Sequence, residues 1–217
     1  MSLPKLAVLI SGRGSNMLAI AAACRSGGLP CQLAAVVTDR GEAAGIAAAA
    51  ALGIKTAALA APDAPRLSSV ELESKLEAIL ATCSPDFIAL AGFMRVLSAA
   101  FVERHLGKLV NIHPSLLPAY RGLHTHRRVL EAREPFHGAS VHFVVPQLDA
   151  GPVVLQARLA VRADDNESSL SARVQTAEHI IYPRALGWLA EGRCSLRANR
   201  AWLDGRPLAA PIVEAFS

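Results

Sequence analysis

Leu6-Ala-Val-Leu-Ile-Ser-Gly-Arg-Gly-Ser-Asn16 decides the reading of the fold: an apolar run, a turn carrying two glycines, then a segment of helical period. A short apolar run closed by glycine reads as a strand buried on both faces, and such strands belong to sheets covered by helices on each side. The rhythm repeats outward. Leu6–Ile10 leads into a helix over Asn16–Ser26 that ends at Gly27-Gly28, and a second strand, Leu33–Thr38, is followed by an Ala-rich helix over Ala43–Leu52 that ends at Gly53. Lys55–Leu59 is a short third strand, and Ser68 with Glu71 has capping-box spacing before a helix whose apolar stripe is Leu72, Leu76, Ile79, Leu80 and Cys83. Phe87–Ala91 and Leu109–His113 read as strands, separated by a helix near Ser98–His105. Strands alternating with helices imply right-handed crossovers and a mostly parallel twisted sheet, which makes the chain an α/β protein with a single Rossmann-like domain.

The pattern changes after Asn111. Pro114, Pro118 and Gly122 mark an irregular segment, and Ser140–Val145 and Val153–Val161 read as antiparallel strands of the C-terminal half around a Pro-Gln-Leu-Asp-Ala-Gly turn. Leu170, Val174, Ala177 and Ile181 mark a long helix that Pro183 should kink. With no repeat, low-complexity linker or charge block, residues 1–217 form one expected domain: 5–110 as a phosphate-binding half, 111–203 as a remodelled catalytic half, 204–217 as a tail.

Composition narrows the class. A chain of 217 residues, 52% hydrophobic and 18% charged, is globular rather than disordered, fibrous or coiled-coil. Its longest apolar runs fall far short of a membrane span, and Met1–Arg13 lacks the layout of a signal peptide, so a cytoplasmic location is expected. Cys24, Cys31, Cys83 and Cys194 form no CxxC pair and read as reduced core thiols. The net charge of +4 could suit a nucleic acid, but the basic residues are dispersed and no aromatics interleave with them, so an anionic small molecule explains the charge as well.

Three constellations could carry chemistry. Ser11-Gly-Arg-Gly-Ser-Asn16 places free amides at a helix N-terminus, where an anion such as phosphate can be cradled. A dinucleotide reading through Gly12, Gly14 and Asp39 competes, although position 17 is Met where the third glycine of GxGxxG would stand. Asn111-Ile-His-Pro-Ser115 sits at the carboxyl end of a strand, where open α/β sheets bind ligands, and strand alternation points Asn111 and His113 to one side. A buried structural histidine explains that pair as well as a catalytic one does. Asp149 reads either as a turn former or as the carboxylate that keeps His113 charged. His124 and His126, with His113, His137 and His142, invite a metal reading, but no metal-ligand spacing is present and none is expected.

Ala91-Gly-Phe-Met-Arg-Val-Leu97, Asn111-Ile-His-Pro-Ser-Leu-Leu-Pro118, Gly122-Leu-His-Thr-His126, Ser140-Val-His-Phe143, Leu148-Asp-Ala-Gly-Pro152 and Val174-Gln-Thr-Ala-Glu-His179 stand in the order of the folate-dependent formyltransferases. Together with the first turn they resemble the phosphoribosylglycinamide formyltransferase family over Lys5 to Leu203. The resemblance implies formyl transfer from 10-formyltetrahydrofolate, as co-substrate, to the amine of phosphoribosylglycinamide in purine synthesis, without a metal. It implies Asn111, His113 and Asp149 as catalytic residues. Gly14, Ser15 and Asn16 would cradle the acceptor phosphate, Met17 and Leu18 would also bind the acceptor, and Glu178 would hold its glycinamide part. Arg66, Met94, Arg95, Val96, Leu97, Asn111, Val145 and Leu148 would border the folate. Val145-Pro-Gln147 departs from the Thr-Asp-Glu of close relatives, which affects side-chain contacts to the pterin more than backbone ones. Small-molecule partners are implied, with no nucleic acid or membrane, and a monomer or homodimer. Formyltetrahydrofolate hydrolases are the related alternative, but they carry a regulatory domain ahead of the catalytic one, whereas here the first strand begins near residue 5.

Overall fold

The structure is a computed structural model, and it describes residues 2–217. Its centre is an eight-stranded sheet in the order β11-β7-β6-β5-β4-β1-β2-β3. β1 (Lys5–Ile10), β2 (Gln32–Thr38), β3 (Thr56–Ala58), β4 (Phe87–Leu90) and β5 (Leu109–His113) are mutually parallel. β6 (Phe136–Phe143) turns antiparallel to β5, β7 (Val153–Ala160) antiparallel to β6, and β11 (Ile212–Phe216) runs parallel to β7 at the edge.

Period-two alternation along β1 shows why the sheet is covered on both faces. Leu6, Val8 and Ile10 enter one core with Met17 and Ile20 of α1 (Ser15–Ser26) and Val174, Ile181 and Tyr182 of α6 (Glu167–Ala190). Ala7 and Leu9 enter the other with Leu72, Leu76 and Leu80 of α3 (Ser69–Cys83) and Phe101 of α4 (Ala99–Arg104). All five apolar residues of β1 are sealed from solvent, as expected of a strand buried on both faces. The expected capping box starts α3: the Ser68 hydroxyl accepts the Glu71 N–H and the Glu71 carboxylate accepts the Ser68 N–H. α2 is the Ala-rich segment Ala44–Ala51.

The back half departs from the sequence reading in several places. β6 begins at Phe136, four residues before the expected Ser140, and ends at Phe143. α5 (Thr125–Glu131) follows the irregular segment in a stretch where the sequence predicts no element; only Thr125 and Val129 of its seven residues are buried, too few for an apolar period to show. Pro183 lies inside α6, which continues to Ala190 and forgoes the helical donor to the His179 carbonyl. β8 (Cys194–Arg197), β9 (Arg200–Leu203) and β10 (Arg206–Pro207) build a small antiparallel sheet. The segment read as a tail supplies β10 and the edge strand β11.

Candidate active site

The first functional turn is built by Gly14, which takes the left-handed φ of 73° at the N-cap of α1. A side chain there would meet the Gly45 backbone at 3.1 Å and the Met17 methyl at 3.2 Å, so it would point into the protein. The first-turn amides of Ser15, Asn16 and Met17 have no intrahelical acceptor and are free for an anion. Leu18 does not join them, because its N–H is bonded to the Gly14 carbonyl at 2.9 Å. The Met17 side chain is fully buried in the core, which leaves that residue only its amide to offer.

Asn16 is turned inward beside Glu178 of α6, donating its Nδ2 to Glu178 Oε2 at 2.8 Å. The Asn16 Oδ1 is buried with no partner, an orphaned acceptor that a ligand N–H or O–H would satisfy. Burial pushes the Glu178 carboxyl up to about 7, against the pull of the Asn16 hydrogen bond. The pairing links the first helix to the last long one, across 162 residues of sequence.

Asn111 and His113 stand at the carboxyl end of β5, and Asp149 projects from the turn between β6 and β7 with a left-handed φ of 47°. The three converge. Asp149 Oδ2 lies 3.5 Å from His113 Nδ1 and accepts the Gly122 N–H at 3.0 Å, while its Oδ1 lies 3.8 Å from His142 Nε2. Asn111 Nδ2 is 3.1 Å from His142 Nε2, and His142 Nδ1 is 2.9 Å from the Phe143 carbonyl. Since a carbonyl only accepts, His142 carries its proton on Nδ1 and receives the Asn111 amide on Nε2. Burial holds His142 down to about 4, so it is a neutral brace that fixes the Asn111 amide. His113 Nε2 faces the Tyr120 carbonyl at 3.0 Å and its Nδ1 faces Asp149, so an acceptor stands before each ring nitrogen.

His142, which sequence reasoning placed among the metal candidates and within Ser140-Val-His-Phe143 but gave no role in the site, is the neighbour that braces Asn111. The signal that finds it is register: β5 and β6 pair antiparallel with Asn111 opposite His142. Gly151 closes the same corner, because a Cβ there would lie 1.8 Å from the Phe143 carbonyl oxygen. Beneath the site the buried Tyr182 hydroxyl reaches the Leu90 and Val110 carbonyls at 3.1 and 3.0 Å, tying β4 to β5 just before Asn111.

Beside Asn111 and Asp149 opens a pocket walled by Leu90, Phe93, Val102 and Val144 together with Arg95, Val96, Leu97, Val145 and Leu148. With Asn111 itself in the lining, six of the expected folate-bordering positions meet at one cavity. Met94 is exposed and outside the lining; its contribution is its N–H, which donates to Ser11 Oγ at 2.8 Å. Arg66 is exposed and does not reach the pocket. The Arg95 guanidinium is bonded to the Leu67 carbonyl at 2.6 Å.

Asp39, the acid of the dinucleotide alternative, is buried and accepts the Ser11 hydroxyl at 2.5 Å, so it serves as a loop anchor. His126 Nδ1 and His137 Nε2 lie 2.9 Å apart, and burial lowers both rings, His137 to about 4. No group of three or more His, Cys, Asp or Glu placed to hold a metal occurs among the described residues.

An amide, an imidazole and a carboxylate gathered beside a pocket, on a sheet whose first turn leaves helix amides free, are the parts of a group-transfer enzyme acting at a carbonyl carbon. Residues 4–186 match the formyl transferase family, and the chain belongs to it, grouping there with the phosphoribosylglycinamide formyltransferases. It is 47% identical over 205 residues to the phosphoribosylglycinamide formyltransferase of Escherichia coli K12, covering 94% of this chain and 95% of that one. The Haemophilus influenzae enzyme of the same name is 39% identical over 204 residues, again covering 94% and 95%. Among solved structures, the phosphoribosylglycinamide formyltransferase of Coxiella burnetii superposes with a TM-score of 0.90 at 43% identity, over 97% of this chain and 100% of that one.

Proposed function

We infer that this chain transfers the formyl group of 10-formyltetrahydrofolate to the primary amine of phosphoribosylglycinamide, yielding the formylglycinamide ribonucleotide and tetrahydrofolate. The observation that carries the reading is the convergence of Asn111, His113 and Asp149 at the mouth of the pocket that Arg95–Leu97, Val145 and Leu148 line. The neutral amine attacks the formyl carbon, and the oxygen of the resulting tetrahedral species gains negative charge. Asn111, its amide fixed by His142, and His113 donate to that oxygen; His113 does so by exchanging the Tyr120 carbonyl for the substrate. Asp149 holds the His113 ring from its other side.

The acceptor phosphate sits on the Ser15, Asn16 and Met17 amides, and the Asn16 Oδ1 and Glu178 face the rest of the acceptor. Small molecules are the partners, and the enzyme works in the cytoplasm as a monomer or homodimer, one domain spanning 1–217. No helix among the described residues is long and apolar enough to cross a membrane. The test is formyl transfer with purified protein, following release of tetrahydrofolate with phosphoribosylglycinamide present and absent. Acceptor-dependent release supports the reading; release that ignores the acceptor makes the chain a hydrolase and overturns it.

A further inference from the structure

Cys24 lies in the last turn of α1 and Cys31 directly precedes β2, and their Sγ atoms are 3.5 Å apart. The stretch Cys24-Arg-Ser-Gly-Gly-Leu-Pro-Cys31 doubles back because Gly27 ends the helix in the left-handed conformation. The Gly27 N–H returns to the Cys24 carbonyl at 3.3 Å and the Leu29 N–H to the Ala23 carbonyl at 3.0 Å. Cys24 is partly open to solvent, whereas Cys31 is buried. Cys83 and Cys194 are buried too, and Cys83 donates to helix carbonyls.

We propose that Cys24 and Cys31 form an oxidative modification site, a dithiol that a low-molecular-weight disulfide converts into an intramolecular disulfide and a thiol reductant restores. The Cys24 thiolate attacks one sulfur of oxidised glutathione, expelling a glutathione thiolate and leaving a mixed disulfide. Cys31 then gives up its proton and attacks the Cys24 sulfur, forming the Cys24–Cys31 bond and expelling the second glutathione. The protein loses two electrons and two protons, and one disulfide is reduced to two thiols. Access and chemistry agree on the order. The hydrogen bond from Cys31 holds the Cys24 thiol below its ordinary value, and the same bond with burial raises Cys31. The product ties the C-terminal end of α1 to the start of β2, at the opposite end of the helix from Gly14 and Asn16.

The experiment uses the full chain, reduced, freed of reductant and exposed to oxidised glutathione, then alkylated under denaturing conditions and digested with trypsin. Cleavage after Arg13, Arg25 and Arg40 puts the two cysteines on separate peptides, 14–25 and 26–40. The expected result is one cross-linked species in place of two alkylated peptides, with alkylation falling from four cysteines to two. Dithiothreitol reverses it. Cys24→Ser and Cys31→Ser abolish the cross-link, and Cys31→Ser accumulates glutathione on Cys24. A wild-type protein that keeps all four thiols, retains glutathione on Cys24, or links either residue to Cys83 or Cys194 overturns the proposal.

Discussion

Glu178→Gln separates the structural burden of a buried carboxyl from its service to the acceptor. Glu178 is buried on α6, and burial raises its carboxyl from an ordinary 4.5 to about 7. Between those values the folded chain keeps a proton that the unfolded chain releases. Stability is therefore undiminished below 4.5 and falls as pH rises through 7. At about 1.4 kcal/mol per pH unit, the gap amounts to about 3 kcal/mol. Gln does not titrate, and its side-chain oxygen can still accept the Asn16 amide. Near pH 5 the variant and the parent should unfold at similar temperatures. At about pH 8 the variant should be more stable by about 3 kcal/mol, roughly 6–12 °C for a chain of this size. Thermal unfolding followed by circular dichroism across that range measures the difference. The same variant should raise KM for phosphoribosylglycinamide more than it lowers kcat, because a carboxylate facing the acceptor is gone. Stability curves that run parallel from acid to base would refute the argument, since they would mean that Glu178 is solvated in the folded chain.

Asn111→Ala and His113→Ala should each slow the chemical step by about 10²–10³-fold, the usual loss for one oxyanion donor, with single-turnover kinetics separating chemistry from binding. Gly14→Val should lower the unfolding temperature, not merely weaken acceptor binding, because φ of 73° strains any branched residue and its Cβ meets Gly45 at 3.1 Å; an unchanged midpoint would show that the turn relaxes freely. His137 and His142 are both held down to about 4 from 6.5 by burial, so the unfolded chain gains protons first and stability is lost as pH falls from 6.5 toward 4. With Glu178→Gln in the background, acidifying from about pH 7 to about pH 5 should cost about 4 kcal/mol by denaturant unfolding, and His137→Asn should recover about half.

The front half of the fold was legible because β1 and β4 at its centre are buried on both faces, so that uninterrupted apolar runs such as Leu6–Ile10 stand out between glycine turns. Leu109–His113 and the Ser68 capping box matched to the residue for the same local reason. The C-terminal strands were not legible: Ile212–Phe216 is an edge strand with Ile212 and Val213 exposed, defined by its register with β7 and by no pattern of its own. Within the site, the grouping of Asn111 with His113 follows from strand alternation. Joining Asp149 to them depends on a turn whose direction only the antiparallel β6–β7 pairing fixes. His142 was missed as a brace because its role needs the register that sets it across from Asn111. Met17 and Leu18 follow the phosphate turn in sequence, yet helical geometry buries the side chain of one and occupies the amide of the other.

The Ser11 hydroxyl accepts the Met94 N–H and donates to Asp39, and the Ser11 N–H donates to the Gly92 carbonyl at 3.1 Å. One small hydroxyl thus fastens the loop after β1, which leads into the proposed phosphate turn, to the segment after β4 that enters the proposed folate pocket. The two mouths of the cleft cannot drift independently. If ordering one mouth orders the other, thermodynamic reciprocity requires that whatever the acceptor does to folate affinity, folate does to acceptor affinity by the same factor.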